Sequence, residues 1–308
     1  MPTGRYAPSP TGTFHLGNLR TAVAAWLFAR ASQSDFLLRW EDLDLTADPR
    51  HESSQLADLA ALGVTFDGTP LRQSDRTDAY AEVIADLTRR SSTYRCWCSR
   101  REIQEATRAP HGVPGSYPGT CRHLSAREIA VHERSGREPA LRLRTDSAEV
   151  EIVDSLHGRV RRAMDDIVLR RGDGTPAYNL VVVVDDEHQG VGQVVRGDDL
   201  LDSTPRHAYL QRLLGYREPV WTHVPLVVDT SGERLAKRDG SAGLASWHDA
   251  GGSNGGLIAA FATTLGIPTS ASGEPPTLGD LVTVFDADRI PLSPAAYDGG
   301  GPRLSLAD

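Results

Sequence analysis

The stretch Arg5-Tyr6-Ala7-Pro8-Ser9-Pro10-Thr11-Gly12-Thr13-Phe14-His15-Leu16-Gly17-Asn18 constrains this chain more than any other. Pro8 and Pro10 fix their own φ and hold the residues before them extended, so the segment leaves a short strand without coiling. Gly12 and Gly17 let backbone approach a ligand closely. The pattern from Leu19 to Arg30 then reads as a helix. A strand, a glycine-bearing turn and a helix start in that order aim N–H groups and the positive end of a helix dipole at one point, which is a phosphate site in physical terms. His15 adds a donor to the same anion. An ordinary Pro/Gly loop would explain a lone H-x-G-x, but few loops need the whole A-P-S-P-T-G combination before it.

The bulk of the chain is compatible with an enzyme built around that turn. Its 308 residues suffice for one large domain with an insertion or for two modest domains. With 39% hydrophobic and 24% charged residues it reads as a globular chain. No apolar run reaches the roughly 18 residues of a membrane span, and the N-terminus leads into a strand rather than a signal peptide, so the cytoplasm is expected. A net charge of −8 argues against a nonspecific nucleic-acid coat protein, though a local basic face is compatible with RNA.

Further on, Phe36 to Trp40 reads as a buried strand delivering Glu41-Asp42-Leu43-Asp44 at its C-terminal end, where an open α/β sheet faces its ligand crevice. His51 to Leu62 has helical spacing with Leu56, Leu59, Ala60 and Leu62 on one side, and Ser74 is placed to cap the next helix, which carries Tyr80, Val83, Ile84 and Leu87. From residue 91 the chain turns rich in Arg, Gly, Pro and Cys, as an insertion would. Short strands are expected over Ala140–Arg144, Val150–Val153 and Val160–Arg162. Regular α/β structure resumes with Ile167–Arg170, the apolar run Leu180–Val184 closed by Asp185-Asp186, the strand Gln193–Arg196 and the helix Ser203–Leu214. Val224–Val228 leads into a loop, two helices follow near Leu257–Leu265 and Leu278–Phe285, and a Gly/Pro-rich tail from Ser293 is expected to fray. The division is therefore 1–90, first half of an α/β domain; 91–165, insertion; 166–240, second half of that domain; and 241–308, a short helical C-terminal region. Strand and helix alternating on both sides of an insertion imply a doubly wound parallel sheet split by a small subdomain.

The opening stretch resembles the first signature of class I aminoacyl-tRNA synthetases, in the form used by the glutamyl and glutaminyl branch. The second signature, usually K-M-S-K-S, is matched by R-L-A-K-R within Glu233-Arg234-Leu235-Ala236-Lys237-Arg238-Asp239-Gly240. A cluster of three cations alone is usually solvated surface. The resemblance implies a Rossmann-like catalytic domain in which Pro8, Gly12, His15, Gly17, Asn18 and Lys237 bind ATP. His15 and Lys237 carry the phosphate chemistry, and magnesium accompanies the nucleotide. Asn18 departs from the family, where many relatives have a second histidine, as do Arg234, Ala236 and Arg238.

A glutamate site must pair two carboxylates and one ammonium group. Arg5 and Arg196 offer guanidinium forks, Glu41 an ammonium partner and Tyr178 a hydroxyl. Singly each has a bland reading: surface strand ends, a helix cap, a half-buried core tyrosine. In glutamyl synthetases the matching positions hold the amino acid, Arg5 reading the side-chain carboxylate and Glu41 the amino group, with Ala7 and Ser9 on the same wall.

Cys96, Cys98 and Cys121 cannot all pair with one another, and three thiolates in a poorly cored insertion suit a closed zinc site. Reduced cysteines without metal are the bland alternative. On chemistry alone the fourth ligand is open among His111, His123 and Tyr117. Truncated glutamyl synthetase relatives use tyrosine at this spacing, so the resemblance favours Tyr117.

The resemblance covers residues 4 to about 245, while the helical body that reads an anticodon in full-length glutamyl synthetases has no counterpart after Gly240. This looks like the truncated branch, and Pro176-Ala177-Tyr178-Asn179-Leu180, Asp185-Asp186 and Arg196-Gly197-Asp198-Asp199-Leu200 agree with it. It implies activation of L-glutamate by ATP and transfer to the queuosine base of tRNA(Asp), by a monomer without membrane contact. A conventional synthetase charging tRNA(Glu) and a tRNA-independent glutamate ligase are the alternatives. Arg159, Arg161, Arg162, Arg89 and Arg90 are the candidates for an RNA face.

Overall fold

The computed structural model describes residues 2–90, 92–107, 116–235, 243–269, 274–299 and 301–307. Strand β1 (Gly4–Tyr6) leads into helix α1 (Leu16–Ala31), and β2 (Phe36–Trp40) returns parallel to β1. Helix α1 is apolar nearly all round because it is buried nearly all round, from Leu16 through Ala29. Helix α2 (Pro49–Ala61), β3 (Leu71–Arg72), parallel to β2, and α3 (Thr77–Arg89) complete this half.

Two local expectations are corrected here. Helix α2 buries Glu52, Gln55 and Leu59, whereas Leu56 is 37% exposed and Ala60 faces out. Polar residues turn inward because each finds a partner: Glu52 meets Arg72, and Gln55 meets the backbone of the opening turn. Ser74 caps no α-helix; it opens a 3-10 turn and its hydroxyl donates to Asp42, while α3 starts without a side-chain cap.

The middle of the chain supplies β4 (Thr93–Cys96), α4 (Arg100–Thr107), α5 (Ala126–Arg134), β5 (Ala140–Leu143), β6 (Glu149–Asp154), β7 (Gly158–Ala163) and β8 (Ile167–Arg170). Strands β4, β5 and β8 form an antiparallel sheet. The second half follows with α6 (Tyr178–His188), β9 (Gln193–Gly197), α7 (Thr204–Leu214), β10 (Val220–Val224) and β11 (Val227–Val228). Strand β10 pairs in parallel with β9 and, at Trp221 and Asp154, with β6 of the β6–β7 hairpin. Pairing thus crosses the expected boundary at 165 both ways: β8 joins the sheet of the insertion, and β6 joins the parallel sheet. The valine run 181–184 lies in α6, since burial on every side outweighs the weak helix preference of β-branched residues.

The halves meet where the N–H groups of Gly192 and Gln193 donate to the Thr3 carbonyl at 3.0 and 3.2 Å. This sets β9 beside β1 and completes the doubly wound parallel arrangement, with the carboxyl ends of both strands opening on one crevice. Helices α8 (Leu244–Asp249), α9 (Asn254–Thr264) and α10 (Leu278–Val284) and strands β12 (Ala295–Tyr297) and β13 (Leu304–Leu306) finish the fold. The tail expected to fray is instead paired: β12 lies parallel to β11 and antiparallel to β13, with Ala295 fully buried. Among the described residues no helix is long and apolar enough to cross a membrane.

Candidate functional site

The turn after β1 is held from three directions. Glu41 N–H donates to the Pro8 carbonyl at 3.0 Å, Asp48 N–H to Pro10 at 2.8 Å, and Gln55 Nε2 to Gly12 at 2.7 Å. Gly12 adopts φ 154°, which other residues reach only with strain. His15 is the N-cap of α1: its Nδ1 accepts from Asn18 N–H at 3.3 Å, and Asn18 Oδ1 accepts from His15 N–H at 3.2 Å. This reciprocal pair is a capping box. It leaves the imidazole proton on Nε2, the tautomer that donates to an anion on that side. At Gly17 a Cβ would sit 2.9 Å from the His15 ring, so a side chain there would push the imidazole out of its capping position on the first helical turn.

A cleft of about 600 Å³ opens between the turn and β9. Of the residues expected at the site, Ala7, Pro8, Ser9, His15, Gly17, Asn18, Glu41, Tyr178 and Arg196 line it. Gly12 and Arg5 are not on its wall. Arg5 is buried, with Nε 3.4 Å from Asp186 Oδ1 and NH1 3.4 Å from the Val195 carbonyl. Burial draws the Arg5 pKa down, and Asp186 opposes that. Burial likewise pushes the Glu41 carboxyl up against the pull of Arg39 and Arg5. Tyr178 is 41% exposed on the cleft wall, its ring edge-on to His207. A smaller cavity adjoins the cleft, sharing Ser9, Glu41 and Tyr178 and adding Asp44, Gln73 and Arg171. Lys237 lies outside the described residues, but the loop leading to it is placed: Arg234, ion-paired with Asp199, and Leu235 both line the cleft.

Arg196 is 5% exposed and gripped from several elements. Its Nε donates to His223 Nε2 at 3.0 Å, NH2 donates to Thr204 Oγ1 at 2.7 Å, and His207 Nδ1 lies 3.3 Å from both terminal nitrogens. Behind them His223 Nδ1 meets Asp154 Oδ2 at 2.6 Å, and His207 Nε2 meets Asn179 Oδ1 at 3.0 Å. Sequence reasoning missed this set, together with Arg39, which is fully buried and joins Asp186 to Glu41. One signal was present: an arginine inside the otherwise apolar strand F-L-L-R-W needs a buried acid, and Asp185-Asp186 closes the valine run. Asp185 is met by Gln73, Arg76 and Tyr80.

In the insertion the three cysteines are free thiols with their sulfur atoms within 4.8 Å of one another. The Cys96 thiol is 3.3 Å from the Tyr117 hydroxyl, which accepts from Cys121 N–H at 2.9 Å, and Arg142 stacks 3.6 Å over the Tyr117 ring. His123 is exposed and stands apart from this cluster; His111 lies outside the described residues. The set is one that could hold a metal ion. The arginines considered for RNA are ion-paired: Arg159 with Glu151, Arg161 with Glu149, Arg162 with Asp202, and Arg89 and Arg90 with Asp86.

The family model for tRNA synthetases class I (E and Q), catalytic domain, matches residues 3–298. A glutamyl-Q tRNA(Asp) synthetase of Nocardia farcinica is 55% identical over 94% of this chain and 91% of its own length. A protein of the same name from Symbiobacterium thermophilum is 40% identical over 97% of this chain and 99% of its own. Among solved structures, a glutamate tRNA ligase of Elizabethkingia meningosepticum in complex with its amino acid aligns with a TM-score of 0.79 and 25% identity, over 96% of this chain and 67% of that one. With its doubly wound sheet and the cleft at the strand ends, the chain belongs to the class I tRNA synthetases of the E and Q type, in the family of its glutamyl-Q tRNA(Asp) synthetase relatives.

Proposed function

We propose that this chain, a cytoplasmic monomer, activates L-glutamate with ATP and transfers it to the queuosine base in the anticodon of tRNA(Asp). One observation carries the reading: a helix start capped by His15 and Asn18 shares a single cleft with Glu41, Tyr178 and Arg196. The first group suits phosphates, and the second suits an ammonium and carboxylates. Glutamate's α-carboxylate attacks the α-phosphorus of ATP, forming the glutamyl-adenylate and releasing pyrophosphate. A ring hydroxyl of the queuosine then forms the ester bond as AMP leaves. The protein's contribution is position and charge: His15 on the phosphates, Lys237 on the leaving pyrophosphate, Glu41 on the amino group, and Arg5 together with Arg196 on the side-chain carboxylate. Magnesium enters with ATP.

The acceptor comes from the relatives, whose shared name specifies tRNA(Asp). The functional layout we infer keeps the division at 90, 165 and 240, with strand pairing across 165 tying the insertion to the second half and with zinc organising the insertion. Three thiols converging beside a buried tyrosine hydroxyl fit a closed structural site of Cys96, Cys98, Cys121 and Tyr117. Burial pushes the Tyr117 phenol up, and a bound dication is what would bring it down to a ligating phenolate. Zinc there would supply folding energy to the insertion rather than chemistry at the cleft.

ATP/pyrophosphate exchange tests the activation step. Glutamate supports exchange and aspartate does not; equal exchange with both, or none with glutamate, contradicts the assignment.

A further inference from the structure

We propose that His223 and His207 are positioning residues that hold the Arg196 guanidinium by neutral acceptors, aiming it into the cleft with its charge left for the substrate's carboxylate. The proposal rests on the glutamate reading above. Arginine only donates, so both ring nitrogens facing it, Nε2 of His223 and Nδ1 of His207, are unprotonated acceptors. Each ring keeps its proton on the far nitrogen. His223 Nδ1–H donates to Asp154 Oδ2 at 2.6 Å and His207 Nε2–H to Asn179 Oδ1 at 3.0 Å. The two histidines therefore carry opposite tautomers, each fixed by a partner on another element: Asp154 on β6 and Asn179 on α6. Burial and the nearby Arg196 charge favour the neutral rings.

The contrast with the neighbouring arginines gives the arrangement its meaning. Arg5 and Arg39 both lean on Asp186, which offsets their charge. The partners of Arg196 among the described residues are two imidazoles, the Thr204 hydroxyl and the Trp221 ring. They satisfy its N–H groups and fix its plane without neutralising it. In a buried site a pre-aimed guanidinium with no carboxylate in direct contact, Glu41 acting on it only from across the cleft, attracts an incoming carboxylate strongly. The acid of the relay, Asp154, stands one imidazole away from Arg196 rather than against it.

The test uses ATP/pyrophosphate exchange and has two arms. Arg196→Met examines the site itself: the glutamate KM rises, and an unchanged KM overturns the underlying reading. His223→Leu and His207→Leu examine the relay: the glutamate KM rises about tenfold to 100-fold while the ATP KM holds. His207→Asn, whose amide oxygen falls near Nδ1, restores most of the loss. The relay is overturned if Arg196→Met raises the glutamate KM and the leucine variants do not, or if they raise both KM values equally. Nitrogen-15 NMR of histidine-labelled wild-type protein reads the tautomers without any substitution. Protons on His223 Nδ1 and His207 Nε2 support the relay; a protonated ring or the reverse tautomers overturn it.

Discussion

Arg39 NH1 lies 2.7 Å from Asp186 Oδ1, with both side chains closed off from solvent. The same carboxylate oxygen takes Arg5 Nε at 3.4 Å, and Arg39 NH2 is 3.7 Å from Glu41. One acid of α6 thus offsets arginines from β1 and β2 directly beside the cleft, and it links the two halves of the parallel sheet. Asp186→Asn leaves both guanidiniums without that countercharge. A loss of about 3–5 kcal/mol in urea unfolding is expected, against under about 1 kcal/mol if the pair were idle.

His207 and His223 give a pH dependence of definite sign. Both have folded pKa values below the ordinary histidine value, chiefly because burial disfavours the charged ring. The unfolded chain then binds more protons than the folded one below about pH 6.5, so their contribution is complete above that pH and is lost as pH falls through it. The slope is at most about 1.4 kcal/mol per pH unit for each ring, approached only where the unfolded ring is fully protonated and the folded ring still neutral. Thermal midpoints between pH 8 and pH 5 measure it, and His207→Asn flattens the acid side; a midpoint indifferent to pH over that range contradicts the neutral pair.

The cysteine cluster predicts one zinc per chain in protein prepared without chelator. Cys121→Ser lowers both the metal content and the melting temperature, because binding energy at such a site is folding energy. Zinc near zero by elemental analysis removes the metal from the account.

Lys237→Ala reduces the exchange kcat about 100-fold to 1000-fold with little change in glutamate KM, as expected of a charge acting on the leaving pyrophosphate. Arg5→Ala abolishes exchange. Retained activity in the second variant would reassign Arg5 from substrate recognition to a purely internal partner of Asp186.

Local chemistry made part of this molecule legible. Prolines and glycines fix the turn from Pro8 to Gly17 within a few residues, and His15 and Asn18 cap a helix three positions apart. Glu41, Tyr178 and Arg196 entered through family resemblance, and the cleft brings them together. The supports were hidden because their partners are distant: Arg39 and Asp186 are 147 positions apart, and Asp154 and His223 are 69 apart. Short strands also look alike. Nothing local in Glu149–Asp154 or Ile167–Arg170 tells which sheet each will reach, and burial alone decides that Val181–Val184 is helix.

Transfer of labelled glutamate to purified tRNA(Asp), with and without queuosine, addresses the central claim most directly. The account predicts label on queuosine-bearing tRNA(Asp) alone, released by mild base as an ester would be. Label on queuosine-free tRNA(Asp), or on tRNA(Glu), would contradict it.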